Sequence, residues 1–191
     1  MTLMEQLSAY IPYNEQEARD RVLLLDCLRR EPEVLTRQNA LAHFTASAWI
    51  VNPTRTRVLM AYHNIYHSWS WLGGHADGES DLLAVALREA REESGIRSAR
   101  PVSENIFSLE ALTVDGHEKR GAYVSSHLHL NVTYLLEADE GEALTIKPDE
   151  NSGVRWFTLE ESETAPTEPW FCARVYRKLN DKLRAMAGPE R

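Results

Sequence analysis

The most chemically loaded stretch of the chain is Arg88-Glu89-Ala90-Arg91-Glu92-Glu93-Ser94-Gly95-Ile96. It closes a run of strong helix formers, SDLLAVALREAREES, from Ser80 to Ser94. Ser80 is the expected cap, Asp81 sits in the favourable first turn, and Gly95 supplies the stop. On such a helix Glu89, Glu92 and Glu93 stand at i, i+3 and i+4, so the three carboxylates share one face. Each close like-charge pair costs roughly 0.2–0.5 kcal/mol. Taken alone, the cluster reads as a solvated face. A divalent cation reverses the sign of that argument. Hard Mg²⁺ takes oxygen ligands and keeps some of its waters, which leaves room for substrate phosphates. The acidic face is then expected to be open to solvent when no cation is bound.

The preceding segment, Gly73-Gly74-His75-Ala76-Asp77-Gly78-Glu79, has a matching logic. Gly73 and Gly74 allow close backbone approach, and a carbonyl from this turn could complete a metal shell. Gly78 allows the reversal before the helix. Arg88 points off the acidic face and could brace the loop through Glu79 or Asp77.

These residues need elements to position them. Apolar residues Ala18, Val22, Leu25 and Leu28 repeat near helical spacing between Glu15 and Arg30, and Glu33 to Leu41 could add a short helix. Strand texture starts at His43, where Phe44, Ala46, Ala48 and Ile50 alternate with Thr45, Ser47, Trp49 and Val51. Asn52-Pro53-Thr54 is a turn signal, and Arg57 to His63 reads as the partner strand. An extended piece carries Tyr66, Trp69 and Trp71 into the glycines. Further strands are expected at Asn105 to Thr113, His127 to Leu136 and Val154 to Leu159, with a long loop from Val114 to Ser126. Pro169 opens a last helix, with Phe171, Val175, Leu179 and Leu183 in register. The mixture predicts α/β layers, a sheet covered by helices.

The 191 residues suit one domain with an appendage, here residues 1–41 as an N-terminal helical extension and 42–187 as the main domain. With 21 basic and 29 acidic residues the net charge is −8, which argues against an extended nucleic-acid surface or an anionic-membrane surface. No apolar run is long enough to span a bilayer, and the N-terminus does not read as a signal peptide. Cys27 and Cys172 form neither a disulfide framework nor a metal pair, which fits a cytoplasmic protein.

The segment from Gly74 to Ile96 resembles the signature box of the Nudix hydrolase family. That pattern is glycine, five residues, glutamate, seven residues, then Arg-Glu, apolar, any, Glu-Glu, any, glycine, apolar. The second half matches throughout from Arg88 to Ile96, and the strand order from about residue 43 to 185 is also similar to a Nudix domain. The first half departs: the box glutamate would fall on Ser80, whereas Glu79 stands one residue early. The resemblance implies an α/β/α sandwich with a mixed sheet, the box forming loop–helix–loop. It implies Glu89, Glu92 and Glu93 as ligands of Mg²⁺ or Mn²⁺, with backbone from Gly73 or Gly74, and a supporting role for Gly74, Gly78, Glu79 and Gly95. The implied reaction is hydrolysis of a nucleoside diphosphate linked to another moiety, or of a related pyrophosphate. A homodimer is the implied assembly.

Within that chemistry, Glu92 or Glu93 could orient or deprotonate the attacking water, with Arg88 beside them. His117 or Glu118 could supply the base from the long loop, although a charged glycine-bearing loop also reads as a plain surface turn. Asp149 and Glu150 are a weaker source of a distal acid. Lys119 and Arg120 could receive phosphate oxygens, and Trp69 or Trp71 could stack on a base or pack in the core. His127 and His129 share a strand face and could line the cleft. No Cys or His partner stands at metal-ligand spacing, so a structural zinc is not expected. Two other readings compete: a nucleotide-binding or regulatory module without turnover, and a 5′-end RNA pyrophosphohydrolase. Isopentenyl-diphosphate isomerase has a similar fold and a Gly-His loop, but its catalytic cysteine position is Gly73 here.

Overall fold

A buried acid decides how the N-terminal helices lie. Helix α1 (Leu3–Ala9) starts at a capping box between Thr2 and Glu5. Helix α2 (Glu15–Arg30) starts at Asn14, whose side chain accepts from the Glu17 N–H, and ends with Arg29 and Arg30 in its last turn. Apolar periodicity put Val22 on the inner face, but Val22 is 63% exposed while Glu17 is fully buried together with Leu24. The face is rotated because Glu17 is satisfied: one carboxylate oxygen accepts from the Tyr10 hydroxyl at 2.6 Å and the Tyr13 N–H at 2.7 Å. The short helix expected between Glu33 and Leu41 is absent. Glu33 takes φ 57°, which breaks a right-handed helix, and the segment turns so that the Val34 carbonyl accepts from Phe44.

The computed structural model describes residues 1–119 and 121–187. They form two compact units, the first made of Met1–Ser47, Gly73–Ala86 and Glu104–Tyr134, the second of Ala48–Leu72, Leu87–Ser103 and Leu135–Arg191. The strands are β1 (Ala42–Val51), β2 (Arg57–His63), β3 (Ser68–Ser70), β4 (Leu72–His75), β5 (Arg100–Pro101), β6 (Ser108–Val114), β7 (His117–Lys119), β8 (Ala122–Val124), β9 (His127–Glu137) and β10 (Asn151–Thr158). β1 and β9 contribute their first halves to one unit and their last residues to the other.

In the first unit β6 pairs antiparallel with β9, from Ser108 opposite Thr133 to Val114 opposite His127. β4 runs beside β1, continued by the Ala76 N–H on the Phe44 carbonyl. β1 alternates as the sequence reads, but its polar positions are not left to solvent: all ten positions are buried. Its polar residues face a buried hub instead. Asn131 accepts at Oδ1 from Thr45 Oγ1 (3.0 Å) and Ser47 Oγ (2.8 Å), and donates through Nδ2 to Glu110 (2.9 Å) and Thr133 (3.1 Å). Ser108 Oγ lies 2.6 Å from Glu110 and 2.8 Å from Glu17, which ties α2 into the same network. The segment expected as a long loop after Val114 is a small hairpin, β7 pairing β8 from His117–Val124 to Lys119–Ala122.

In the second unit the strand order is β10-β2-β1-β9-β5, with β3 also on β2. β2 pairs with the end of β1 at Ile50–Leu59 and Val51–Val58, and β5 with the end of β9 at Pro101–Leu136. The C-terminal helices are α4 (Leu159–Ser162), α5 (Pro169–Phe171) and α6 (Arg177–Ala187). Between the last two the chain widens for one turn, and the Arg177 N–H donates to the Cys172 carbonyl five residues back. That turn brings Tyr176 flat against Trp49, centroids 5.6 Å apart at 13°. The helix opened by Pro169 keeps Val175, Leu179 and Leu183 buried, as their spacing predicts. Among the described residues no helix is long and apolar enough to cross a membrane.

The hub gives a direct test of these contacts. Asn131→Ala takes a hydrogen bond from four buried polar groups, those of Thr45, Ser47, Glu110 and Thr133, and should cost about 3 kcal/mol or more, at 1–3 kcal/mol per unsatisfied buried group. Urea denaturation measures it, and a loss below about 1 kcal/mol would show that the network tolerates the gap.

Candidate active site

Helix α3 (Leu82–Ser94) is the box helix, and its start differs from expectation. Asp81 is the cap rather than Ser80: its Oδ1 accepts from the Ala84 N–H at 3.1 Å. Glu79 Oε1 accepts from the Asp81 N–H at 2.8 Å, so the displaced glutamate holds the helix entry through backbone. Leu82, Val85, Ala86 and Ala90 form the buried stripe. At the far end Gly95 takes φ 73°, and a Cβ there would collide with Thr145 Oγ1. The last carbonyls are taken by named partners. Thr145 N–H donates to Ser94 O at 2.8 Å, and Asn151 Nδ2 donates to Glu93 O at 2.9 Å.

The three carboxylates are not one open acidic face, which corrects the sequence expectation. Glu92 has 47% of its side chain exposed, Glu89 only 13%. Glu93 is 5% exposed. Burial pushes the Glu89 carboxyl above its ordinary range, and the neighbouring Arg88 opposes that shift. Among the described residues Arg88 pairs on its own helix. Its guanidinium lies 3.0 Å from Glu89 and 4.0 Å from Glu92, so one positive charge already serves two carboxylates. Asp77, the other expected partner, takes a bidentate contact from Arg37 at 2.6 and 2.7 Å.

Sequence reasoning missed Lys147 and Asn151. Lys147 Nζ lies 3.3 Å from Glu92 and 3.0 Å from Glu150. Burial works against its charge, but the hydrogen bonds and charges of Glu150 and Glu92 outweigh it, so its pKa is raised. Asn151 is buried. Its Oδ1 accepts from the Lys147 N–H at 3.2 Å, and its Nδ2 anchors α3. The Lys-Pro-Asp-Glu-Asn run signals a turn, but nothing local names its distant partner. Glu150, a weaker expectation, is thus joined to Glu92 through Lys147, while Asp149 is exposed. Carboxylate oxygens suit a hard divalent ion in donor type, while Arg88 and Lys147 already offset part of their charge. Among the described residues, however, the three carboxylates do not converge as a ready-made ligand group.

The remaining candidates fall in two places. Trp69 and Trp71 are occupied by protein rings. Trp69 packs on Tyr62 and Phe157 at 5.4 and 4.8 Å, with Arg155 5.1 Å over its ring. Trp71 packs edge-on against Tyr176 and Phe171. In the first unit Gly73 has no room for a side chain: a Cβ would lie 2.5 Å from the Ala46 carbonyl oxygen. Gly74 follows it in β4, and Gly78 takes φ 94°. Glu118 is exposed on β7, whose last residue is Lys119, and Arg120 lies outside the described residues.

That unit also gathers histidines that sequence spacing did not connect. One ligand atom each from His43, His75 and His129 lies within 4.8 Å of the others, so this trio could hold a metal ion. The three residues come from β1, β4 and β9, so no local spacing links them. His127 stacks on His43 at 4.8 Å, and His117 stands 6.4 Å from His127. Burial, then the neighbouring His75, His43, His127 and His117, push the His129 pKa down to about 2. Burial also lowers that of His43, partly offset by its hydrogen bond to the Asn39 carbonyl.

Comparison with known proteins places this geometry. The NUDIX domain family profile matches residues 41–179. The chain is 30% identical over 113 residues to the mouse bis(5′-nucleosyl)-tetraphosphatase [asymmetrical], which covers 58% of this chain and 69% of that protein. A Caenorhabditis elegans Ap4A hydrolase in a binary complex superposes with a TM-score of 0.54 at 19% identity, covering 77% of this chain and 98% of that one. A NUDIX-family hydrolase from Clostridium perfringens gives 0.55 at 18% identity, covering 75% and 97%. The chain belongs to the Nudix hydrolase family, with its α/β fold. Its activity is the family's hydrolysis of a phosphoanhydride-type bond in a nucleotide or diphosphate-linked substrate.

The unequal burial on α3 predicts unequal costs. Glu92→Ala, at an exposed ion pair, should change stability by no more than about 0.5–1 kcal/mol. Glu93→Ala should cost at least about 1.5 kcal/mol, because it empties a buried polar position. Thermal melts of both variants check this, and equal melting temperatures would contradict it.

Proposed function

We propose that this chain hydrolyses a bis(5′-nucleosyl) tetraphosphate asymmetrically, using Mg²⁺ or Mn²⁺ held by Glu89 and Glu93, with Glu92 beside them as the base. The observation that supports the substrate is the likeness to the mouse asymmetrical tetraphosphatase at 30% identity. The box helix supports the mechanism, since it presents oxygen donors of the type a hard cation takes. When bound, such a cation neutralises the polyphosphate and lowers the pKa of the attacking water.

The chain's own residues divide the remaining work by exposure. Glu92 is the most exposed of the three, so it is assigned to orient the water and take its proton. Glu89 and Glu93 are the less exposed pair and are assigned to hold the cation. Arg88 and Lys147 hold the Glu92 carboxylate in place between them. Asn151 acts as a positioning residue, because it fixes both the end of α3 and the turn that carries Lys147.

The test is turnover of diadenosine tetraphosphate beside nucleotide sugars, nucleoside triphosphates and non-nucleotide pyrophosphates. The expected products are one nucleoside triphosphate and one monophosphate, with no turnover in EDTA. Glu92→Gln should lower kcat by roughly 100-fold or more, in the range lost when one charge-stabilising group is removed. Turnover of the other phosphoanhydrides but not of the tetraphosphate would sink the substrate assignment alone. Unchanged kcat in Glu92→Gln would sink the assigned mechanism. Tight nucleotide binding without turnover would replace hydrolysis with a binding role.

A further inference from the structure

We propose that His43, His75 and His129 form a second metal site, selective for a borderline divalent cation of the Zn²⁺ class. The site is independent of the carboxylate helix and does not rest on the substrate reading above. Its ligand type is different: three imidazole nitrogens suit Zn²⁺ and its transition-metal neighbours, whereas Mg²⁺ prefers oxygen.

Hydrogen bonding sets the tautomer at His43. Its Nδ1 stands 3.1 Å from the Asn39 carbonyl oxygen, which can only accept. Nδ1 therefore carries the proton, and Nε2 of the neutral ring presents its lone pair. The ring is 4% exposed, and Nε2 is buried without a hydrogen-bond partner. A buried acceptor left in that state costs free energy, and a cation removes the cost. A histidine that ligates a metal commonly donates its other ring N–H to a backbone carbonyl, which is the arrangement here.

His127 repeats the pattern. Its Nδ1 lies 2.8 Å from the Ser125 carbonyl oxygen, so its Nε2 also bears a lone pair in the neutral ring. That nitrogen lies 3.2 Å from Nε2 of His129. Two nitrogens on one tetrahedral Zn²⁺ stand roughly 3.3 Å apart, given Zn–N near 2.0–2.1 Å. His127 is therefore placed to serve as the fourth ligand or to yield that position to water. The ligand atoms of the trio lie within 4.8 Å of one another, against the roughly 3.3 Å expected around a bound ion. His75 and His129 are half-buried, and His43 is buried.

The site sits on rigid supports. His43 opens β1, His75 ends β4, and His127 and His129 alternate on β9. Gly73 lets β4 lie against β1 closely enough to bring His75 to His43, with ring centroids 5.2 Å apart.

The experiment uses the full chain, stripped of metal, titrated with Zn²⁺ and separately with Co²⁺ as an optical reporter. One equivalent should bind with the intense visible bands of four-coordinate Co²⁺, and X-ray absorption of the Zn²⁺ form should show imidazole scattering. A large excess of Mg²⁺ should not displace it. His75→Ala, at a half-exposed position, should weaken Zn²⁺ binding by roughly 100-fold, at or beyond the loss typical of disturbing the groups that orient a ligand. His43→Gln should do the same where its melt shows a folded chain. Glu92→Gln should leave the equivalent in place. Failure of the wild-type chain to bind Zn²⁺ at tens of micromolar would overturn the site. So would unchanged affinity in His75→Ala, or loss of the equivalent in Glu92→Gln alone.

Discussion

The buried amide of Asn131 is the interaction on which the first unit depends. Its oxygen takes two hydroxyl protons from β1 and its nitrogen feeds Glu110 on β6 and Thr133 on its own strand. A polar group so deeply buried destabilises the fold unless all its partners are present. The arrangement therefore fixes how β1, β6 and β9 register, since a slip of one residue would turn Thr45 and Ser47 away from the amide. Through Ser108 the same network reaches Glu17, and through Glu17 it reaches Tyr10 and Tyr13. The N-terminal helices are thereby held by directional hydrogen bonds as well as by the apolar contacts of Leu7 and Leu24.

The box helix shows the same principle in the second unit. It carries three carboxylates, and carboxylates crowded on a helix repel. Arg88 and Lys147 offset that repulsion with positive charge, at side chains that are partly exposed and so contribute modestly to stability. Gly95 and Asn151 end the helix where Glu92 and Glu93 diverge in exposure. The result separates one accessible acid from two sheltered ones, which is how a set of identical residue types can take different roles.

Two kinds of donor set therefore coexist in one chain. Oxygen donors cluster on α3, and nitrogen donors cluster where β1, β4 and β9 bring histidines together. Cation selectivity follows donor type more than charge, so the two sets call for different ions. Burial lowers the pKa of His43 and His129 and so favours their neutral rings.

By itself the sequence determined what local physics controls. The spacing of Glu89, Glu92 and Glu93, the stop at Gly95, the strand Arg57–His63 and the Pro169 helix start are all read from short-range pattern, because helix periodicity and backbone sterics act within a few residues. The same reading erred wherever burial was polar. It turned α2 toward Val22 because an apolar period cannot see a satisfied Glu17, and it could not see Asn131 beneath Thr45 and Ser47. It placed Ser80 at a cap that Asp81 takes, since either residue caps well and only the chain path chooses. Tertiary structure alone decided that Lys147 meets Glu92, that Arg88 serves the acids rather than the loop, and that His43, His75 and His129 converge. The Lys147 and histidine pairings join residues tens of positions apart, and their energy depends on three-dimensional proximity and exclusion of water, neither of which sequence spacing encodes.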